Sequence, residues 1–131
     1  MRHNSFNQVH KGLRALLFET ALQIQRCNFA DIQSGENILH ELEQVLLLFE
    51  SHAHNEDHFF NEPLEEVNKE VAKLFEKEHE EDHRLALLLE KLMKTWRKTS
   101  EQAERLKIGQ QILYAFNEFI AFNLYHMNKE E

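Results

Sequence analysis

Apolar residues recur at intervals of three and four along nearly the whole of this 131-residue chain. Such steps place side chains on one face of an α-helix. The repeat falls into four stretches, and only three glycines and one proline, Pro63, are available to interrupt it. Because glycine and proline are the residues that most disfavour helix interiors, their scarcity allows long helices. The pattern predicts an all-α protein.

The four stretches predict four long amphipathic helices joined by short connections. Their predicted bounds are about residues 5–28, from a turn at 31–35 to before Pro63, from a polar loop at 62–69 to about Trp96, and from a capping box at Thr99 and Gln102 to the end of the chain. Such a chain is typical of an up-down-up-down antiparallel four-helix bundle. A length of 131 residues suits one hydrophobic core, so residues 1–131 are predicted to form a single domain.

The charge balance excludes several classes of partner. Fifteen Lys and Arg residues against 23 Asp and Glu residues give a net charge of −8. The sequence contains no run of basic residues that could bind along a phosphate backbone. The longest apolar runs, residues 45–49 and 85–89, are far shorter than a membrane-spanning helix. Cys27 is the only cysteine, so no intrachain disulfide can form. The chain is predicted to be soluble and cytoplasmic, with no nucleic-acid or membrane partner, and its oligomeric state is left open.

Histidine is the unusual residue of the composition, with nine copies in the chain. Several histidines and two glutamates fall on the predicted inward faces, where apolar residues are expected. These candidates are His10 on the first helix, His52 and Glu56 on the second, His79 and His83 on the third, and His126 and Glu130 on the fourth. Buried imidazole and carboxylate groups are costly unless a partner satisfies them. A bound metal would satisfy the whole set, and each i, i+4 pair places two ligands one turn apart on one helix face.

Two of these positions have rivals. His54 lies two residues after His52, about 200° around the helix, and is expected to face solvent. Glu131 lies five residues after His126, about 140° away around the helix, whereas Glu130 returns to within about 40°. His52 and Glu130 are therefore preferred, and both rivals stay open.

The remaining polar residues near the motifs are assigned to the surface. They are His3, His40 and His58, together with Glu76, Glu78, Glu80, Glu81 and Asp82 on an outer face of the third helix. The two Glu-x-x-His spacings within residues 76–83 do not make a ferritin-like carboxylate site, because both lie on one helix and such a site needs them on two.

The order of the motifs resembles the hemerythrin-like family, whose members carry an HHE cation-binding domain. That order is His on the first helix, His-x-x-x-Glu on the second, His-x-x-x-His on the third and His-x-x-x-Glu on the fourth. The similar segments are His10–Arg14, His52–Asp57 and Asn123–Glu131. The resemblance covers essentially the whole chain and implies a four-helix bundle.

The resemblance also implies a centre of two irons. His79, His83 and His126 would hold one iron, His10 and His52 the other, and Glu56 and Glu130 would bridge them. The iron with fewer protein ligands would keep an open position for dioxygen or another small diatomic ligand. Imidazole does not select iron by itself, so zinc, manganese or cobalt can replace it in a preparation.

The fourth helix departs from the pattern of the oxygen carriers in this family, in which His is followed five residues later by Asp. Here the carboxylate lies at the extreme C-terminus, where a helix has no following turn and is expected to fray. In many relatives the chain continues beyond this motif. The chain is thus expected either to be truncated at its C-terminus or to complete its site only when metal binds.

Three functions are compatible with this pattern. The preferred one is a non-catalytic di-iron protein that binds dioxygen reversibly, as a carrier, a store or a sensor of oxygen or iron. The second is an oxidoreductase or an iron-handling repair protein that uses the same site. The third is a structural helical bundle without a functional metal, in which His and Glu serve packing or a partner interface.

Overall fold

The computed structural model describes residues 2–56 and 62–130, which are helical apart from short connections. The helices are α1 (Arg2–Arg26), α2 (Ile32–Glu56), α3 (Glu62–Val67), α4 (Lys69–Lys98) and α5 (Gln102–Glu130). The described part of the chain contains no β-strand, and none of its helices combines the length and apolarity that crossing a membrane requires. The all-α class is confirmed, and the four predicted long helices correspond to α1, α2, α4 and α5.

The predicted loop at residues 62–69 is wrong, because most of this segment forms the short helix α3. Pro63 lies in its first turn, where a backbone donor is not needed and the fixed φ of proline suits the helix. Asn68 then separates α3 from α4. Its side-chain Oδ1 accepts a hydrogen bond of 3.2 Å from the backbone N–H of Val71, so it caps the start of α4.

Local hydrogen bonds define the start of α2 and the end of α4. Asp31 Oδ2 accepts a 2.7 Å bond from the backbone N–H of Ser34 and so caps α2, as the turn at 31–35 predicted. The predicted capping box at Thr99 is wrong. Its hydroxyl donates to the carbonyl of Thr95 at 2.7 Å, and its backbone N–H donates to that of Trp96. Because the connection to α5 is so short, Thr99 ends α4 instead of starting α5.

The core lies between the four long helices. Helix α1 packs against α2 and α5, and α4 packs against α2, α3 and α5. The large side chains that are almost fully buried are Leu17, Ile24, Leu39, Leu42, Leu89, Met93, Ile112, Phe116 and Phe119. The rings of Phe49 and Phe119 meet edge to face at 5.5 Å between centroids, the geometry that aromatic pairs prefer. This ring pair joins α2 to α5 across the core.

One end of the long helices is closed by contacts between the connection at 27–31 and the segment 96–105. The indole Nε1 of Trp96 donates to the carbonyl of Phe29 at 3.1 Å. The buried guanidinium of Arg105 donates to the carbonyl of Ala30 at 2.8 and 3.0 Å and to that of Ser100 at 2.6 Å. We call this end of the long helices, together with these contacts, the loop end. The candidate site lies at the opposite end of α1, α2, α4 and α5.

Candidate metal centre

Six of the seven predicted ligands come together near the start of α1, the end of α2, the first third of α4 and the end of α5. They form two groups of four, within each of which the donor atoms lie no more than 4.8 Å apart. The first group is His10, His52, Glu56 and Glu130, and the second is Glu56, His79, His126 and Glu130. We call this region the site end.

The first group joins α1, α2 and α5. His52 Nε2 lies 3.1 Å from Glu56 Oε2, one helical turn away, and 3.2 Å from His10 Nε2. His10 Nε2 also lies 3.5 Å from Glu130 Oε1. Two imidazole nitrogens and two carboxylate oxygens therefore point at one small volume.

The second group joins α2, α4 and α5 in the same way. His79 Nε2 lies 3.0 Å from Glu56 Oε1. His126 Nε2 lies 3.5 Å from Glu56 Oε1 and 3.5 Å from Glu130 Oε2. This group again combines two imidazole nitrogens with two carboxylate oxygens.

Both carboxylates take part in both groups, each with a different oxygen for each group. Glu56 presents Oε2 to His52 and Oε1 to His79. Glu130 presents Oε1 to His10 and Oε2 to His126. Both carboxylates therefore join the two groups to each other.

Burial makes these groups costly without a bound ion. The side chains of Glu56 and Glu130 are 2% and 0% exposed, and His10 is 0% exposed. Within residues 2–56 and 62–130, Glu56 Oε2 and His126 Nε2 are buried and make no hydrogen bond, although Glu56 Oε2 lies 3.1 Å from His52 Nε2 and His126 Nε2 lies 3.5 Å from Glu56 Oε1. A buried polar atom without a partner costs about 1–3 kcal/mol. Imidazole nitrogen and carboxylate oxygen are ordinary ligands of iron, zinc and manganese, so these residues could hold a metal ion.

The pKa shifts of Glu56 and His126 also favour a bound cation. Burial by itself raises the pKa of Glu56, but contacts with the four surrounding imidazoles outweigh burial and hold the pKa well below its usual range. Burial lowers the pKa of His126, but contacts with Glu56 and Glu78 outweigh it, and that pKa is raised. The raised pKa favours the protonated form of His126, whose positive charge offsets part of the cost of burying Glu56. A metal cation would supply positive charge in its place.

His83, the seventh predicted ligand, joins neither group, and its side chain is exposed. The buried stripe of α4 passes from Phe75 through Asp82 to Leu85, so it takes the third residue after His79, not the fourth. A helix of 3.6 residues per turn brings both positions near the same face. The neighbouring helix decides between them, because Asn123 Nδ2 on α5 donates to Asp82 Oδ1 at 2.7 Å.

Two carboxylates assigned to the outer face of the third helix are not on it. Asp82 is 9% exposed, and its pKa is raised by burial although the hydrogen bond from Asn123 opposes the shift. Glu78 is 11% exposed at its side chain and accepts a 2.6 Å hydrogen bond from His126 Nδ1. Only Asp82 gives a signal that sequence analysis missed, because it lies three residues after a predicted ligand. The position of Glu78 directly before the same ligand gives no such signal.

The other assignments agree with the structure where it describes them. His54 and His40 are exposed, whereas the side chain of His52 is only 14% exposed and lies in the first group. Glu76 and Glu80 are exposed. The side chain of His3, the whole of His58, Phe59, Phe60 and Glu131 lie outside the described part of the chain.

A cavity of about 180 Å³ lies between α2 and α4 beside the second group. Its lining combines apolar side chains with five ionisable ones, one of which is His79. The residues that line it include Phe49, Ala53, His79, Asp82, His83, Glu90 and Phe119. His83 thus faces this cavity although it lies outside the two donor groups.

Comparisons of this chain with models of protein families, with curated proteins and with solved structures give no match. The assignment of the site therefore depends on its own geometry. That geometry is a buried set of four imidazoles and two shared carboxylates at one end of the long helices.

Proposed function

We propose that α1, α2, α4 and α5 form an up-down-up-down antiparallel four-helix bundle of the hemerythrin-like kind. The contacts at the two ends support this topology. His10, near the start of α1, meets His52, near the end of α2. At the loop end, the connection after α1 meets the end of α4, where Trp96 donates to Phe29. Successive long helices that return to the same two ends run in opposite directions.

The bundle would hold two iron ions, bridged by both carboxylates. The observation that carries this proposal is that Glu56 and Glu130 each offer one oxygen to each donor group. One ion would be held by His10 and His52 and the other by His79 and His126, in addition to the shared carboxylates. His83 is not needed for either set.

The preferred function is reversible binding of dioxygen or another small diatomic ligand, as carrier, store or sensor. Iron held by these residues would supply the reversible two-electron exchange that binding of dioxygen requires. An iron ion with four protein ligands keeps open coordination positions for such a ligand. Other non-haem iron sites with few protein ligands also keep open positions. The side chains keep bulk water away from the site, since Phe122 stacks on the ring of His126 at 6.0 Å and Phe75 meets it edge to face at 6.1 Å.

The test is the metal content of the chain purified from iron-replete cells, followed by its absorption spectrum in the reduced form before and after exposure to air. We expect about two irons per chain and a visible band that appears with oxygen and disappears when oxygen is removed. A chain that takes up no iron, zinc or manganese on reconstitution would contradict the proposal and leave a helical protein with a structural cluster. Binding of one ion alone would contradict the shared-carboxylate arrangement.

A second candidate, an oxidoreductase on the same di-iron site, is favoured by one observation. The buried carboxyl group of Asp82 lines the cavity that reaches His79, so an acid stands beside a route for a small substrate. Turnover separates the two functions. A carrier shows no net consumption of dioxygen or peroxide, whereas an enzyme consumes them and should lose rate when Asp82→Asn removes the acid.

A further inference from the structure

Glu78 connects the site to the last turn of α5. It stands on α4 directly before His79, and its two oxygens have different partners on α5. Oε1 accepts from His126 Nδ1 at 2.6 Å, and Oε2 lies 2.6 Å from Lys129 Nζ. The side chain is only 11% exposed. A single half-buried side chain therefore contacts one member of the second group and the neighbour of Glu130.

The contact with His126 determines which of its nitrogens faces the site. An ionised carboxylate can only accept hydrogen bonds, so Nδ1 must carry a proton. In the neutral ring the lone pair then lies on Nε2, which is the atom 3.5 Å from both Glu56 and Glu130. A carboxylate that binds the outer nitrogen of a metal-binding histidine fixes its tautomer and orientation and makes it a stronger ligand.

The contact with Lys129 bears on the last turn of α5. A terminal turn has no following turn to hold its carbonyl groups and normally frays. Here Lys129 ties that turn to α4, and Arg14 on α1 donates to Asn128 Oδ1 at 3.2 Å. Glu130 lies within this turn, so its carboxylate is carried by backbone that is anchored on two sides.

We propose that Glu78 is a positioning residue of the metal centre. It fixes the tautomer and orientation of His126, and through Lys129 it holds the turn that carries Glu130, before any metal binds. This inference rests on the proposed metal-binding function. It goes beyond that function because Glu78 belongs to neither donor group.

The first test observes the ring of His126 in the metal-free chain by nitrogen-15 NMR, at a pH above its titration. We expect the neutral ring to carry its proton on Nδ1 in the natural chain. Glu78→Met, which removes the acceptor at nearly constant length, should abolish this preference, and Glu78→Gln, which keeps a neutral acceptor oxygen, should restore part of it. The matched control is Glu81→Met, which removes an exposed carboxylate whose partner is Arg84.

The second test titrates the metal-free chain with Fe²⁺ under anaerobic conditions, with a competing chelator. We expect Glu78→Met to weaken the ion at His79 and His126 by about 10–100-fold and the other ion by less. Glu81→Met should bind both ions as the natural chain does. Lys129→Met leaves the contact with His126 in place, so it should keep the tautomer and weaken both ions to a smaller extent.

The outcomes separate this inference from the proposed function. A natural chain whose neutral His126 carries its proton on Nε2, or equal affinities in Glu78→Met and Glu81→Met, would overturn the role of Glu78. Unchanged affinities for Fe²⁺ in Lys129→Met would overturn the proposal that Glu78 holds the last turn of α5 through Lys129. A natural chain that binds no Fe²⁺ would contradict the proposed function, while the tautomer of His126 would still decide whether Glu78 positions that ring. If Glu78→Met does not fold, Glu78→Gln and Lys129→Met carry both tests.

Discussion

Buried polar groups occur at both ends of the long helices, and the two ends satisfy them by different means. At the loop end, the guanidinium of Arg105 donates to the carbonyl of Ala30, and the indole of Trp96 donates to that of Phe29. At the site end, Oε2 of Glu56 is buried 3.1 Å from His52 Nε2, yet within the described residues it makes no hydrogen bond. Protein groups alone complete the loop end, whereas the site end keeps donor atoms for a ligand.

Because the two ends differ in this way, the loop end is expected to contribute to the stability of the fold and the site end to metal binding. Hydrogen bonds to backbone carbonyls at the loop end form as soon as the chain folds and need no further component. The carboxylates at the site end are buried at a cost that a metal cation would offset. Changes at the loop end should therefore alter stability and leave metal binding intact, and changes at the site end should alter metal binding first.

The largest effect is expected from Glu56→Ala, because Glu56 belongs to both donor groups. The variant should lose both ions and the stabilisation that they give, which is about 2.7 kcal/mol for an ion present at 100 times its dissociation constant. Elemental analysis and thermal unfolding with and without chelator measure this. His54→Ala, which changes an exposed residue two positions earlier, is the control and should keep both ions. Two ions in Glu56→Ala would show that the carboxylate is not shared.

His79→Ala and His83→Ala form the next comparison, within one helix. His79 lies in the second group, whereas His83 is exposed and lies in neither. We expect His79→Ala to lose one ion and to lower the melting temperature, and His83→Ala to keep two ions and the melting temperature of the natural chain. Loss of an ion from His83→Ala would restore the ligand set that the family resemblance implies.

The corresponding change at the loop end is Gly35→Ala. A methyl group at Gly35 would overlap the indole ring of Trp96. Overpacking of this kind costs about 1–3 kcal/mol, and chemical denaturation should show this loss with the metal content unchanged. Gly12→Ala is the matched control in a helix, because nothing lies within 4 Å of its added carbon, and it should stabilise the chain by about 0.5–1 kcal/mol. Loss of metal from Gly35→Ala would mean that the two ends are coupled.

The smallest effect is a pH dependence of the metal-free chain. Burial lowers the pKa of His126, but Glu56 and Glu78 outweigh it and the pKa is raised. A histidine pKa raised by folding adds stability that is fully present below the pKa of the unfolded chain, about 6.5, and is lost as the pH rises through the folded value. The melting temperature of the metal-free chain should therefore fall as the pH rises above about 6.5. The metal-loaded chain should show no such fall, and a constant melting temperature without metal would contradict the expectation.

Periodicity was sufficient to predict the long helices and most of the candidate site. On α2 the apolar residues Leu42, Val45 and Phe49 lead at steps of three and four to His52 and Glu56, and the structure gives all five an inward position. The reason is that burial on a helix follows the rotation of its own backbone, which is a local property. The same argument placed Glu130 inward from its spacing to a single histidine.

Periodicity failed where two positions on one helix were nearly equivalent. The third and fourth residues after His79 are an aspartate and a histidine, and 3.6 residues per turn does not separate them. His83 was preferred because histidine is a common metal ligand. The structure instead buries Asp82 against Asn123, 41 residues away. Glu78 was missed for the same reason, because its partners lie on α5 and leave no trace in the spacing of α4.

By itself, the sequence determined that the chain is helical, where the long helices lie, and most of the histidines and glutamates that they turn inward. The tertiary structure decided which oxygen of Glu56 and Glu130 meets which imidazole, that His83 stays outside both groups, and that Glu78 supports His126. The physical reason is that helical periodicity encodes the rotation of each helix about its own axis. It does not encode the shift of one helix along another, and contacts between residues tens of positions apart depend on that shift.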